Sequence, residues 1–221
     1  MKTAIIAGST GAIGSELLSL LLDSSEYERV HCLVRRKLTF SHPKLVTHEI
    51  NFDELGTLNL TEKNPELAHA NVFCCLGTTL KQAGSLEAFK RIDKDYVLSV
   101  AKLAERLSAS TFSLVSAIGA NAASSQYYTQ TKGEVELQVQ QLNLPSIRIF
   151  RPSILHGKRS QFRFNEFFGF ILLTLLSPIL QGRLKKYRAI STTQVAKALY
   201  LTSLQSYDKS ITFENDSILA L

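Results

Sequence analysis

The feature that most constrains the fold is a glycine-rich turn close to the first residue. A short apolar run at residues 3–7 leads into Gly8, Gly11 and Gly14, and a helical pattern follows at residues 12–23. Gly8 allows a sharp turn, Gly11 allows the backbone to approach a pyrophosphate, and Gly14 allows the helix to lie tight against the strand. The N–H groups at the start of such a helix attract phosphate oxygens. A plain tight turn is the alternative, but it does not need glycines in register. The predicted phosphate cradle consists of Gly8, Ser9, Thr10, Gly11, Ala12, Ile13 and Gly14.

Strand and helix patterns alternate along the rest of the chain. Further strands are predicted at residues 29–34, 45–50, 72–76, 112–115 and 147–150, with helical patterns between them. Right-handed crossovers between such strands produce a parallel, doubly wound sheet, so we expect an α/β fold of Rossmann type. Ligands of such folds bind at the carboxyl ends of the strands. We expect a single domain over residues 1–221, in which residues 151–221 contribute most of a small C-terminal substrate lobe.

The charge pattern favours an anionic ligand. The formal net charge is +6 and the pI is about 9.2, and Arg35, Arg36 and Lys37 follow the second predicted strand. A carboxylate at that place would accept from the 2′-hydroxyl of NAD, whereas a guanidinium can bind a 2′-phosphate through two hydrogen bonds. We therefore predict NADP(H), bound by Arg35 and Arg36, and the alternative is a solvated basic loop. The scattered basic residues argue against a nucleic-acid partner.

A tyrosine and a lysine indicate redox chemistry. Tyr128 and Lys132 are four residues apart in a predicted helix at residues 125–142, so they share one face. An ammonium beside a phenol stabilises the phenolate, which suits Tyr128 for proton transfer to a carbonyl oxygen. Lys132 can also bind ribose hydroxyls, and Ser116, after the fifth strand, can hold the substrate oxygen. The predicted catalytic residues are Ser116, Tyr128 and Lys132. The alternative is a pair of polar side chains that merely face solvent.

Cysteine and histidine placement bears on location and metals. Cys32, Cys74 and Cys75 form no spaced framework and are interpreted as small buried residues in a reducing compartment. The histidines lack the spacing of metal ligands, so no metal is predicted. The first strand begins almost at Met1, which leaves no room for a signal peptide. We therefore expect a cytoplasmic protein.

Several motifs together resemble the short-chain dehydrogenase/reductase superfamily, in its extended or atypical branch. They are the glycine turn, the set Ser116, Tyr128 and Lys132, and the run Arg151, Pro152 and Ser153. Residues 35–40, 73–79, 93–98 and 132–136 resemble, more closely, the Tat-interacting oxidoreductase family. The likeness covers residues 3–157 and implies a Rossmann fold, NADPH binding and reductase-like site residues. Members of that family are better established as NADPH binders than as enzymes with a known substrate.

The resemblance also implies particular cofactor contacts. Beyond the cradle, the arginines and the Tyr128–Lys132 pair, it places contacts at Asn51, Phe52, Leu76, Gly77, Thr78, Arg151, Pro152 and Ser153. Two positions depart from the family pattern. Asp93 stands where an asparagine usually joins the proton relay, which weakens the case for the full relay. Asn51 replaces an aspartate that touches adenine, and its amide can still hydrogen-bond the base.

An uncharged stretch at residues 167–180 has three possible roles. As a helix it would be about 21 Å long, shorter than the roughly 30 Å core of a bilayer. It can form a core helix of the substrate lobe, line a pocket for an apolar substrate, or lie on a membrane surface. In the third case, residues 167–186 would make peripheral membrane contact through their flanking basic side chains.

These observations predict an NADP(H)-dependent reductase of short-chain type that reduces a small-molecule, apolar carbonyl compound by hydride transfer. The alternative is an NADPH-binding regulatory or partner-recruiting protein with little or no turnover. Both share the cradle and Arg35, and they differ at Tyr128 and Ser116. The oligomeric state does not follow from the sequence.

Overall fold

The computed structural model describes residues 1–56, 60, 64–156, 186–207 and 209–221. Within those residues the main sheet has seven strands, and all of its neighbouring strands are parallel. In chain order, the strands are β1 (Lys2–Ala7), β2 (Tyr27–Val34), β3 (Leu45–Glu49), β4 (Asn71–Cys74), β5 (Thr111–Val115), β6 (Ser146–Arg151), β7 (Leu155–His156), β8 (Ile190–Ser191) and β9 (Lys209–Glu214). β7 and β8 pair with each other in a separate small sheet, and the main sheet has the order β3-β2-β1-β4-β5-β6-β9.

Helices cover both faces of this sheet. They are α1 (Ala12–Asp23), α2 (Leu80–Ala83), α3 (Leu86–Lys90), a π-helix (Arg91–Tyr96), α4 (Val97–Arg106), α5 (Tyr127–Val139), α6 (Thr192–Ser203) and α7 (Asn215–Leu219), and short 3-10 turns lie at Phe52–Glu54 and Pro65–Leu67. One apolar core contains buried residues of α1 and α6, among them Leu17 and Leu199. The other contains buried residues of α4 and α5, among them Val100 and Val135. The predicted α/β fold of Rossmann type is confirmed.

The order of the strands determines where a ligand can bind. From β1 the chain passes to β2 and β3 on one side, and then crosses to β4 on the other side. The connections that leave β1 and β4 therefore run in opposite directions along the sheet. A crevice opens between them, at the carboxyl ends of these two strands. The N–H group of Cys75 donates to the carbonyl of Ala7 at 2.8 Å, so the pairing continues one residue past β4. The predicted polar stretches at strand ends consequently meet at one edge of the sheet.

The last part of the chain returns to the main sheet. β9 pairs with β6 along its whole length, from Ser146 and Lys209 to Arg151 and Glu214, and α6 packs against α1. Burial of apolar side chains at the β9 edge of the sheet explains this placement, since Phe213 stacks on Phe150 with ring centroids 4.9 Å apart. The described residues after 185 thus complete the Rossmann domain. Residues 157–185, which include the uncharged stretch, lie outside the described residues, and the predictions for the lobe and for membrane contact stay predictions.

Membrane spans and metal clusters can be assessed for the described residues alone. In that part of the chain, every helix is too short or too polar to cross a bilayer. No group of three or more His, Cys, Asp or Glu side chains is placed there to hold a metal ion.

Candidate functional site

The glycine turn after β1 is packed so tightly that it excludes side chains. Gly8 has a φ of +88°, and a Cβ on it would lie 2.7 Å from the carbonyl carbon of Cys75. A Cβ on Gly14 would lie 2.1 Å from the carbonyl oxygen of Gly8, which is an impossible contact. The turn is closed by a hydrogen bond from the Gly11 N–H group to the Gly8 carbonyl at 3.0 Å. The glycines therefore bring the start of α1 directly against the ends of β1 and β4.

The first turn of α1 can receive an anion. Gly11 is the N-cap residue, no described side chain caps the helix, and its first turn contains no acidic residue. Thr10 and Gly11 are exposed and Ala12 is partly exposed, whereas Ser9, Ile13 and Gly14 are buried. Uncapped N–H groups and the positive end of the helix dipole favour phosphate oxygens at this place. The residues present fit the pyrophosphate of a dinucleotide.

A pocket of about 440 Å³ lies at the outer end of the crevice, beyond β2 and β3. It is lined by Arg35, Glu49, Ile50, Asn51, Phe52 and Tyr96. The pairing of Val34 with Glu49 places the ends of β2 and β3 side by side, so Arg35 and Glu49 are neighbours on the rim. The sequence predictions of Arg35, Asn51 and Phe52 fall in this pocket. Glu49 and Tyr96 were missed, because their contribution depends on the register of β3 and on the π-helix.

The polar groups of the predicted adenine contact are engaged locally. Asn51 Oδ1 accepts from the Asp53 N–H group at 3.1 Å, and Asn51 Nδ2 donates to Glu54 Oε1 at 2.9 Å. Phe52 is buried, 4% exposed, and belongs to the core. Arg36 is exposed. In the described structure, Asn51 caps the 3-10 turn and Phe52 anchors it.

An ion pair attaches the π-helix, which carries Tyr96 on the wall of the pocket, to the 3-10 turn at Phe52–Glu54. Arg91 donates to Asp53 through Nε at 3.0 Å and Nη2 at 2.6 Å. Both side chains are largely exposed, so the pair contributes little to stability but fixes an orientation. Burial raises the pKa of the Tyr96 hydroxyl, and the neighbouring Asp53 carboxylate raises it further.

At the inner end of the crevice, α5 places Tyr128 one turn before Lys132. Lys132 is buried, and its Nζ lies 2.8 Å from Asp93 Oδ1. The other oxygen of Asp93 accepts from the Thr78 N–H group at 2.7 Å. A Cβ on Gly77 would lie 3.6 Å from Asp93 Oδ1 and 3.7 Å from Lys132 Nζ, so this glycine borders the ion pair. The structure therefore brings Gly77, Thr78 and Lys132 together around Asp93.

The electrostatics of this cluster keep Lys132 charged. Burial alone would lower the pKa of Lys132. The charge of Asp93 and the nearby Tyr128 hydroxyl outweigh burial, and the pKa of Lys132 is raised. Tyr128 is partly exposed and packs against Phe89, with ring centroids 5.9 Å apart. A permanent cation thus lies beside a phenol that solvent or a ligand can reach.

Ser116 does not take the arrangement predicted for it. Its hydroxyl donates to Oε1 of Glu136, a buried carboxylate one turn beyond Lys132 on α5. Ser116 is itself only 5% exposed. Because its hydrogen is directed at Glu136 beneath α5, this hydroxyl is not presented to a substrate oxygen. In the described arrangement the Ser116 hydroxyl thus contacts Glu136, and its predicted role in holding the substrate stays a prediction.

Arg151, which is predicted to lie near a nicotinamide, is bound by two carboxylates in the described structure. It donates to Glu136 through Nε at 3.1 Å and Nη2 at 2.5 Å, and to Glu214 through Nη1 at 2.9 Å. The hydrogen bonds that Arg151 donates to Glu136 and Glu214 raise the pKa of its guanidinium. Ser116, Glu136, Arg151 and Glu214 form a network that joins α5 to the ends of β5, β6 and β9. Its function in the described structure is to hold those elements together.

Three further predicted contacts lie near the inner end. Leu76 is partly exposed and packs against the core beside Gly77. The carbonyl of Pro152 accepts from the Ile118 N–H group at 2.9 Å. The Ser153 N–H group donates to Asn215 Oδ1 at 2.9 Å, and the Ser153 hydroxyl donates to the Arg188 carbonyl. Leu76 borders the crevice, whereas Pro152 and Ser153 make structural hydrogen bonds next to the segment outside the described residues.

Together, the strand order, the uncapped helix behind the glycine turn and the Tyr128–Lys132 turn on α5 define a short-chain dehydrogenase/reductase type of Rossmann domain. No family model matches the chain. HTATIP2 of Rattus norvegicus is 37% identical over 174 residues, which are 76% of this chain and 71% of that protein. FMP52 of Debaryomyces hansenii is 36% identical over 174 residues, 75% of this chain and 73% of that protein. The chain belongs to the Tat-interacting oxidoreductase family, that of HTATIP2 and FMP52, as its sequence motifs predicted.

Solved structures show the same fold at low sequence identity. WbmH of Bordetella bronchiseptica in complex with NAD+ has a TM-score of 0.70 and 15% identity, over 97% of this chain and 76% of that one. MoeE5 in complex with UDP-glucose and NAD has a TM-score of 0.68 and 15% identity, over 96% and 75% of the two chains. At this identity the likeness establishes the fold alone.

The predicted cytoplasmic location is wrong. The FMP52 relatives, including those of Debaryomyces hansenii and Saccharomyces cerevisiae, are described as mitochondrial. The prediction depended in part on reduced cysteines, and Cys32 and Cys74 are indeed buried. Buried thiols are compatible with any reducing compartment, so they could not distinguish one from another.

Proposed function

We propose that this chain binds NADP(H) in the crevice between β1 and β4 and reduces a carbonyl compound. The observation that carries the proposal is the buried Lys132 ammonium, held by Asp93 one helical turn from Tyr128. A lysine without a function is rarely buried, because removing its charge from water is costly. Here the buried charge lies at the carboxyl edge of the sheet, in the same crevice as the uncapped start of α1.

The cradle supports the dinucleotide part of the proposal. The first turn of α1 offers N–H groups to a pyrophosphate, and no acidic side chain opposes it there. The solved structures of WbmH and MoeE5, which share the fold, contain NAD. In this proposal the adenosine half occupies the 440 Å³ pocket at the ends of β2 and β3.

The choice of NADP(H) depends on Arg35. Its guanidinium lines the pocket and can bind a 2′-phosphate through charge-assisted hydrogen bonds. Glu49 lines the same pocket and opposes a phosphate, so the preference for NADP(H) over NAD(H) is expected to be moderate.

The proton chemistry is assigned to Tyr128 and Lys132. When bound, the nicotinamide supplies the hydride, which the carbonyl carbon accepts. Tyr128 Oη donates its proton to the carbonyl oxygen as the carbon–oxygen double bond becomes a single bond. The Lys132 charge stabilises the phenolate that remains, and Asp93 keeps that charge in place. Ser116 has no part in this mechanism, because its hydroxyl donates to Glu136.

A second function, NADPH binding with little turnover, is favoured by the hydrogen bond that the Ser116 hydroxyl donates to Glu136. The short-chain reductases that this chain resembles use a serine hydroxyl at the substrate oxygen. Here the Ser116 hydroxyl already donates its hydrogen to Glu136. In this case the Lys132–Asp93 pair would serve cofactor binding alone, and a partner protein would recognise the bound state.

Two measurements test the proposal. Isothermal titration with NADPH and NADH should give tighter binding of NADPH, and Arg35→Ala should weaken NADPH by about tenfold with little effect on NADH. A screen of aldehydes, ketones and lipid-like carbonyls should then reveal NADPH consumption that Tyr128→Phe abolishes while NADPH affinity is kept. Binding without turnover of any carbonyl would favour the second function, and the lack of any heat with either dinucleotide would eliminate both.

A further inference from the structure

Asp93 connects two elements that flank the crevice and has no solvent exposure. One oxygen lies 2.8 Å from Lys132 Nζ on α5, and the other accepts from the Thr78 N–H group at 2.7 Å in the loop after β4. Both side chains of the ion pair are buried, with exposed fractions of 6% for Lys132 and 0% for Asp93. This carboxylate is therefore held inside the protein by one ion pair and one charge-assisted hydrogen bond.

The backbone around Asp93 departs from a regular helix in the manner often found at functional sites. Residues Arg91–Tyr96 form a π-helix between α3 and α4. A π-turn contains an extra residue and changes the face on which its side chains emerge. Arg91 and Asp95 are exposed, whereas Asp93 between them is fully buried and directed at Lys132. The irregular turn is what delivers this carboxylate to the inner end of the crevice.

The charge of Asp93 has a function that a neutral side chain of the same shape could not supply. Three groups act on the Lys132 ammonium: Asp93 from the π-helix, Tyr128 from its own helix, and Cys74 from β4. Of these, only Asp93 makes an ion pair with it in the described structure. Glu136, one turn further along α5, is bound by Arg151. Without Asp93, burial of Lys132 would favour loss of its proton.

We infer that Asp93 is a positioning residue of the dinucleotide site, which keeps Lys132 charged and fixes its ammonium beside Gly77 and Tyr128. An ammonium has three N–H donors, and the ion pair with Asp93 holds it in place. With its position fixed, its donors can face the crevice, where the ribose of a bound dinucleotide would accept from them. Asp93 acts through Lys132 and does not itself touch the dinucleotide. The effect on cofactor binding rests on the function proposed above.

The chain provides a matched control for this inference. Lys94 Nζ and Glu134 Oε2 form a second ion pair, at 2.6 Å, between the same π-helix and the same α5. That pair is partly exposed, with exposed fractions of 30% and 33%. Glu134→Gln therefore removes a connection between the two elements without changing the charge next to Lys132. Asp93→Asn removes the charge and keeps the shape.

The first measurement is the charge state of Lys132 in the unliganded protein, from the 13C shift of its ε-carbon. The signal is assigned by its absence from a Lys132→Met sample. In the wild type and in Glu134→Gln, Lys132 should be fully charged at pH 9. In Asp93→Asn, where a buried ammonium has lost its opposite charge, its proton affinity should fall by about a thousandfold, so that most of Lys132 is neutral at pH 9. A neutral Lys132 in the wild type at pH 9 would overturn the inference without any variant.

The second measurement is NADPH affinity at two pH values. Asp93→Asn should bind NADPH about tenfold more weakly than the wild type at pH 9, and should recover at pH 6, where Lys132 regains its proton. Glu134→Gln should follow the wild type at both pH values. If both variants weaken binding equally and independently of pH, Asp93 is only a brace between two helices, and the inference is wrong.

The proposed function and the inferred role of Asp93 can fail separately. If the wild type binds no NADPH, the proposed function fails, and the ε-carbon shift still decides whether Asp93 maintains the charge of Lys132. If NADPH binds but Lys132 stays charged in Asp93→Asn, the function stands and the role of Asp93 is overturned. Circular dichroism of each variant establishes that it is folded before either result is interpreted.

Discussion

The two ends of the crevice differ in how their charges are held. At the inner end, Lys132 and Asp93 are buried and joined at 2.8 Å, and Gly8 and Gly14 leave no space for a side chain. At the outer end, Arg35 and Glu49 are exposed on the rim of a pocket, with opposite charges side by side. A buried charge loses much free energy when its partner is removed, whereas solvent screens an exposed one. In the proposed function, the inner end therefore determines whether the site exists, and the outer end adjusts which dinucleotide it prefers.

The largest effect is expected from a methyl group in the glycine turn. In Gly14→Ala, the new Cβ would lie 2.1 Å from the Gly8 carbonyl oxygen, so α1 must move away from β1. We expect a loss of more than about 3 kcal/mol in the free energy of unfolding, together with loss of dinucleotide binding. Urea denaturation measures it. The control is Gly56→Ala, whose Cβ would meet no atom within 4 Å and which should leave the stability nearly unchanged.

A somewhat smaller effect is expected from removing the buried cation. Lys132→Met leaves the Asp93 carboxylate buried without its partner, which should cost about 3 kcal/mol of stability. Lys94→Met removes the exposed partner of Glu134 and should cost less than about 1 kcal/mol. Equal losses in the two denaturation curves would contradict the distinction between a buried and an exposed ion pair.

The strands beneath the outer pocket should respond to acid. His31 on β2 is fully buried, its Nδ1 lies 2.8 Å from His48 Nε2 on β3, and its Nε2 lies 3.4 Å from Glu66 Oε1. Burial lowers the pKa of His31 to about 4, and burial also lowers the pKa of His48. Below pH 6.5 the unfolded chain binds protons that the folded chain does not, so stability falls as the pH drops toward 4.

For His31 alone, the loss between pH 6.5 and pH 4 should approach roughly 2 to 3 kcal/mol. Urea denaturation of the wild type across this range measures it. His31→Gln should show a flatter dependence on pH, and His42→Gln, outside this cluster, should keep the wild-type slope. A slope that is identical in wild type and His31→Gln would show that His31 is not the group responsible.

The smallest effect is expected at the rim of the outer pocket. Glu49→Gln removes the carboxylate beside Arg35, so a 2′-phosphate should bind a few-fold more tightly while NADH affinity changes little. Calorimetry with both dinucleotides measures this ratio. An unchanged ratio would mean that the phosphate does not approach Glu49, and that Arg35 alone selects the cofactor.

Local sequence signals predicted the regular elements and the glycine cradle. The pattern from Gly8 to Gly14 is a property of consecutive residues, and the predicted helix at residues 12–23 corresponds to α1. The pairing of Tyr128 with Lys132 also followed from spacing, since residues four apart share a helix face. The orientation of Ser116 did not follow from spacing, because a residue at a strand end can be directed at the crevice or beneath α5. Only the position of Glu136, twenty residues away, decides between them.

The sequence by itself thus determined the succession of strands and helices along the chain, the turn that only glycines can make, and the identity of the family. These depend on short-range sterics and on hydrophobic periodicity, which a linear pattern records. The tertiary structure alone decided which charges meet. Asp93 reaches Lys132 through a π-turn, Arg151 is bound by two carboxylates, and Glu49 stands beside Arg35. Such contacts form between distant segments, and their strength depends on burial, which no run of neighbouring residues specifies.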